Sequence, residues 1–278
     1  MSNMPSNSKL EKIAAEVRHD VLELICRTKG PHIGPCYSCA DLLVGLYFGG
    51  MKVSSGKPQD PRRDRFVFSK GHASPALYSV LYRRGFLSEN DLAGFAVNGG
   101  TFQQHPDRNT KKGIELSTGS LGHGLPVGAG MAYAFKKDKN PARVFVLISD
   151  GELAEGSTWE SVLFAAHHGL DNLVLLVDYN KMYALGPAKD TLNLCPLDAK
   201  FRSFGWGISV IDGHSFPQIT KALKSLPAKK GHPTVILADT VKGKGVSFME
   251  NELLWHYTCP GYTYRVRASD EIKGECKQ

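Results

Sequence analysis

Two segments of this 278-residue chain carry oxygen ligands at a spacing suited to a hard cation. The apolar run from Arg143 to Ser149 leads into Asp150-Gly151, and a second, from Asn172 to Asp178, leads to Asn180, thirty residues after Asp150. Taken singly, Asp-Gly makes a turn and Asn180 caps the next element. Taken as a pair, each after an apolar strand, they would lie on one edge of a parallel sheet. A carboxylate, an amide oxygen and a nearby backbone carbonyl suit Mg2+, with two diphosphate oxygens and a water completing about six ligands. Gly151 would let the backbone approach the phosphates closely.

Such a pair needs a rigid sheet to hold it. Apolar residues at helical spacing (Ile13, Val17, Val21, Leu24) predict a helix over Leu10–Cys26, closed by Gly30-Pro31. Further helices are predicted over Ser38–Phe48, Ser74–Arg84, Asp91–Phe95, from about Leu125 through Phe135, and over Thr158–Gly169, Leu197–Phe204 and Pro217–Ser225. Strands are predicted at Arg65–Ser69, Arg143–Ser149, Asn172–Asp178, Gly207–Ile211 and Pro233–Asp239. Strands that are apolar throughout and alternate with helices indicate an α/β fold: a doubly wound, mostly parallel sheet with helices on both faces. No linker divides the chain, so residues 1–278 read as a single domain with its core over about 10–260 and a polar, peripheral tail at 261–278. Doubly wound sheets bind ligands beyond the carboxyl ends of their strands.

Composition narrows the function classes. The apolar fraction of 42% excludes disorder. The net charge of +7 is scattered in pairs such as Arg62-Arg63 and Lys111-Lys112, with no recognition helix or aromatic-basic motif, so no nucleic acid is expected. No run approaches the roughly 18 apolar residues of a membrane span, and the N-terminus lacks the apolar core of a secretory signal. The expectation is a cytoplasmic chain, away from membranes, with reduced thiols. Cys36 and Cys39 form one CxxC without a second pair for zinc, and read as part of a packed helix. Gly122-His-Gly-Leu-Pro-Val-Gly128 is one residue too long for a dinucleotide fingerprint, and no Walker A sequence occurs.

Ser149-Asp-Gly, followed by Asn180, resembles the thiamine diphosphate motif, usually GDG followed by Asn. The adjoining Asp150-Gly-Glu-Leu-Ala-Glu-Gly-Ser-Thr-Trp-Glu160 is similar to the transketolase family in particular. Gly30-Pro-His32-Ile-Gly, Ser69-Lys-Gly-His72, Gln104-His105-Pro106, Ser117-Thr-Gly-Ser-Leu-Gly-His-Gly124, Thr240-Val-Lys-Gly-Lys-Gly245 and Trp255-His256 resemble further segments of that family. The resemblance runs from about Leu10 to His256, over the N-terminal, diphosphate-binding domain.

By that resemblance, His32, His72, His105 and His256 line the substrate channel as catalytic groups, and Lys70 lies near it. Backbone atoms of Gly119 and Leu121 touch thiamine diphosphate. Asp150, Asn180 and the Met182 carbonyl hold Mg2+ (with Ca2+ or Mn2+ as substitutes), while Gly151 and Lys242 lie at the diphosphate. Glu155 sits at the subunit interface. Transfer of a two-carbon ketol unit moves sugar hydroxyl protons near pH 7, which suits imidazoles; the cofactor supplies the electron sink.

Two departures from the family stand out: Ser149 replaces the first Gly of GDG, and Pro35 stands where small hydroxylated residues are common. The sequence after His256 also holds no pyrimidine-binding domain. The resemblance therefore implies the N-terminal subunit of a split transketolase, paired with a C-terminal, pyrimidine-binding chain as α2β2 and acting on sugar phosphates. The alternatives are another thiamine diphosphate enzyme, a 2-oxoacid dehydrogenase α subunit or a deoxyxylulose-phosphate-synthase-like chain, and a degenerate, non-enzymatic chain.

Overall fold

A computed structural model describes residues 5–275. The chain begins with helices α1 (Asn7–Thr28) and α2 (Ile33–Gly45), then strand β1 (Arg65–Phe68), helices α3 (Ser74–Arg83), α4 (Glu89–Ala93) and α5 (Gly124–Lys137), and strand β2 (Val144–Ser149). It continues through α6 (Gly156–His167), β3 (Leu173–Tyr179), α7 (Ala188–Thr191), α8 (Leu197–Ser203), β4 (Gly207–Asp212), α9 (Phe216–Lys224), β5 (Thr234–Asp239), α10 (Leu254–Tyr257) and α11 (Tyr262–Glu275).

The strands form one parallel sheet in the order β1-β2-β3-β5-β4. Side chains alternate faces along a strand, so each apolar run feeds two cores. Phe145 and Leu147 of β2, with Val174 and Leu176 of β3, pack against α1, α2, α3 and α9. Val144, Val146 and Ile148, with Leu173, Leu175 and Val177, pack against α5, α6 and α8. Burial on both faces explains why β2 and β3 read as unbroken apolar runs. The chain returns after β4 to insert β5 beside β3. The carboxyl ends of β1, β2, β3 and β5 are thereby side by side, and the segments that follow them meet.

The structure adds two four-residue helices that the sequence reading lacks, α7 and α10, and departs from it further at α2 and α11. α2 starts at Ile33 rather than near Ser38 and gives way to a wide turn at Leu46–Gly50. It can start early because Pro35 lies in the first turn, where a missing N–H costs nothing. The tail read as peripheral forms α11 over Tyr262–Glu275, with Ala268 and Ile272 buried and Arg265 paired to Glu23 of α1. Two apolar residues one turn apart make a strip too narrow to stand out in a polar sequence. Cys36 and Cys39 are buried inside α2, and burial raises both thiols, Cys39 to about 12. No helix among the described residues is long and apolar enough to cross a membrane.

Candidate active site

A cleft of about 370 Å3 opens at the carboxyl ends of the strands. Of the residues singled out in the sequence, His32, Lys70, His72, His105, Gly119, Leu121, Asp150, Gly151, Asn180, Met182, Lys242 and His256 border it. Glu155 does not: it is exposed at the start of α6, beside the Gly122 backbone.

At one end of the cleft are the oxygens. Register places Ser149 of β2 opposite Asp178 of β3, so the chain leaves both strands at the same level. One Asp150 oxygen accepts the Gly151 N–H at 2.8 Å and the other the Lys181 N–H at 2.6 Å. Burial, reinforced by the charge of Asp178, pushes Asp150 up to about 7, against the pull of those two N–H groups and Lys70. A buried carboxylate held by backbone amides but short of positive charge is one that a cation would complete. Asn180 Oδ1 accepts the Met182 N–H at 3.1 Å, folding the chain so that the Met182 carbonyl borders the same space. Lys242 Nζ donates to the carbonyls of Met182 at 3.2 Å and Tyr183 at 3.3 Å. Burial, with the charge of Lys70, lowers its ammonium to about 8.

Beneath these groups lies Asp178, a residue the motif reading passed over. Its fully buried carboxylate pairs with Lys70. It also accepts from Ser38 Oγ of α2 at 2.6 Å, from Thr240 Oγ1 after β5, and from Asn180 Nδ2 at 3.4 Å. One carboxylate thus ties four elements together. By accepting from Nδ2 it turns Asn180 so that Oδ1 is the amide atom left to face the cleft. Burial opposes both charges, but Lys70 holds Asp178 below the usual carboxylate range and Asp178 holds Lys70 above its own. Lys70 therefore borders the cleft with its ammonium committed to Asp178 and, at 2.9 Å, to the Pro35 carbonyl.

At the other end are the imidazoles. His32, His72 and His256 cluster with ring centroids 5.1–5.9 Å apart. His32 precedes α2 at φ 75°, a conformation few non-glycine residues adopt. It is held there because its N–H donates to the His256 carbonyl at 3.0 Å while its own carbonyl accepts the Cys36 N–H at 3.2 Å. Such backbone strain persists where the surroundings over-determine it, often at functional sites. Burial lowers His32 to about 4 and His256 to about 3, helped by Lys242 and Lys70, and lowers His72 as well. All three rings are neutral near pH 7, each offering one donor and one acceptor. His256 Nδ1 is buried with no hydrogen-bond partner among the described residues.

His105 stands apart, exposed against Gly119. A Cβ on Gly119 would lie 3.0 Å from its imidazole, so the glycine admits the ring. The loop is anchored by Glu152, which accepts from Ser69 Oγ and from the Gly122 N–H at 2.9 Å. Ser69 in turn accepts the Gly124 N–H at 3.1 Å. The signal that could have found Asp178 and Glu152 is their polarity: each is a carboxylate beside an apolar run, and a carboxylate so placed must be paired.

The sequence profile of the family described as "Transketolase, thiamine diphosphate binding domain" matches residues 10–261. The chain is 37% identical over 251 residues to one of the subunits of the apulose-4-phosphate transketolase of Phocaeicola vulgatus, covering 90% of this chain and 89% of the relative. It is 39% identical over 247 residues to one of the subunits of the 6-deoxy-6-sulfo-D-fructose transketolase of Clostridium sp., covering 89% and 90%. Among solved structures, the transketolase of Campylobacter jejuni superposes with a TM-score of 0.89 at 30% identity, over 97% of this chain and 43% of that one. The fold, the family profile and these relatives agree, and the chain belongs to the transketolase family, as its N-terminal, thiamine diphosphate-binding domain.

Proposed function

We propose that this chain is the diphosphate-binding half of a two-chain transketolase, which moves a two-carbon ketol unit from a ketose phosphate to an aldose acceptor. The observation that carries the reading is one open cleft with the Asp150–Asn180–Met182 oxygens at one end and neutral imidazoles at the other. The relatives named as subunits match this chain over about nine-tenths of both lengths, which supports a partner chain. In this reading the partner carries the pyrimidine-binding domain and the assembly is α2β2, in the cytoplasm, with Glu155 at the subunit boundary.

The donor set fits a diphosphate-bound divalent cation: a carboxylate lacking positive charge, an amide oxygen fixed by Asp178, and a carbonyl now contacted by the Lys242 ammonium. Asp150, Asn180 and Met182 would hold Mg2+, Lys242 and the Gly151 backbone would meet the diphosphate, and Gly119 and Leu121 would border the rings. Bound thiamine diphosphate supplies the electron sink for carbon–carbon cleavage. His32, His72 and His256, being neutral, can bind sugar hydroxyls without a charge to desolvate. Each also has a ring nitrogen able to take a hydroxyl proton and return it. His105, at the rim, reaches the substrate from the exposed side.

The test is ketol transfer by this chain mixed with a pyrimidine-domain chain, Mg2+, thiamine diphosphate and sugar phosphates. Turnover by the mixture supports the reading. Decarboxylation of a 2-oxoacid without ketol transfer would move the chain to another thiamine diphosphate enzyme.

A further inference from the structure

We infer that His214 is a positioning residue for the diphosphate end of the cleft, holding the backbone from which Lys242 projects. The inference rests on the reading that Lys242 meets a diphosphate. His214 follows β4, outside the cleft, and its side chain is 12% exposed. Its Nδ1 lies 2.7 Å from Asp41 Oδ2 of α2, and its Nε2 lies 2.8 Å from the backbone N–H of Val241. A backbone N–H can only donate, so Nε2 carries the lone pair and Nδ1 carries the proton that Asp41 accepts. Asp41 is fixed in turn by a bidentate pair with Arg18 of α1, at 2.6 and 3.1 Å. Charge-assisted bonds of this kind are short and directional.

The relay Arg18–Asp41–His214 thus ends on one backbone amide, a single residue before Lys242. The same segment is held elsewhere by Thr240 Oγ1 on Asp178 and by the Gly243 N–H on the Gly34 carbonyl at 3.1 Å. Between these anchors, His214 sets the height of the Thr240–Val241 peptide, one residue before Lys242, and so where the ammonium meets its target. Remote groups that orient a ligand-contacting residue commonly change affinity by about 10–100-fold when removed.

Two variants separate positioning from bulk. Gln at this position keeps an acceptor near the place of Nε2. Asn keeps a donor near the place of Nδ1 but leaves Val241 without its acceptor. Binding of Mg2+-pyrophosphate to the full chain is measured by calorimetry for wild type, His214→Gln and His214→Asn. The expected result is affinity within about threefold of wild type for His214→Gln and a loss of about tenfold or more for His214→Asn. Equal affinities in the two variants would overturn the inference. No pyrophosphate binding by wild type would instead count against the functional reading. Should His214→Asn fail to fold, the wild-type imidazole 15N shifts decide: a proton on Nδ1 supports the relay, and a proton on Nε2 overturns it.

Discussion

Replacing Lys70 by Met removes one charge from a pair in which both side chains have no exposed surface. The Asp178 carboxylate would keep its bonds from Ser38 and Thr240 but lose its counter-charge. Breaking one partner of a buried pair costs about 3–5 kcal/mol, and the remaining bonds place this case near 3 kcal/mol. Against a typical stability of about 5–15 kcal/mol the loss is large.

The pH dependence identifies the cause. In wild type the lowered pKa of Asp178 contributes stability above its unfolded value of about 4, and this is lost as pH falls through the folded value. Without Lys70, burial raises Asp178 in the folded state, so the penalty is full at about pH 8 and shrinks toward pH 5 as the carboxylate takes a proton. The double variant Lys70→Met/Asp178→Asn should recover much of the loss. Urea midpoints followed by fluorescence of Trp159, Trp206 and Trp255 report all three proteins. A loss under about 0.5 kcal/mol, the scale of an ordinary surface change, or one unaltered between pH 8 and 5, would refute the reasoning.

Asp150→Asn should weaken Mg2+-pyrophosphate binding by more than about a hundredfold, beyond what loss of a supporting residue costs, and calorimetry on the full chain reads this. His256 is held neutral down to about 3, whereas the unfolded chain binds a proton there below about 6.5, so this residue costs stability as pH falls. His256→Gln should therefore gain about 1 kcal/mol relative to wild type between about pH 7.5 and 5.5; a difference in urea midpoint independent of pH would contradict this. Gly119→Ala places a Cβ 3.0 Å from the His105 ring. It should lower kcat/KM for the sugar in the two-chain enzyme while leaving pyrophosphate affinity within about twofold, since nothing at the Asp150 end moves.

The strands and the site segments were legible because each depends on local sequence. Unbroken apolar runs as short and as rich in β-branched residues as Val144–Ile148 suit strands buried on both faces, and Asp150 and Asn180 announce themselves by following two of them. Strand order was not legible, because nothing in the run at 234–239 says that it inserts beside β3. The groups beneath the cleft were hidden for a related reason. Asp178 meets Ser38, Lys70 and Thr240 from 140, 108 and 62 residues away, and His214 meets Asp41 from 173. Such pairings are made by the fold and leave no spacing to read. The start of α2 was missed because His32 enters it from a left-handed conformation rather than through a capping side chain.

The central claim is that this chain holds one half of a catalytic site completed by another chain. It is tested most directly by titrating the chain into a fixed amount of a pyrimidine-domain partner, with Mg2+ and thiamine diphosphate saturating, and following ketol transfer from a sugar phosphate. The account predicts no turnover by either chain alone, and a linear rise that breaks at one equivalent. Appreciable turnover by this chain without a partner would contradict it.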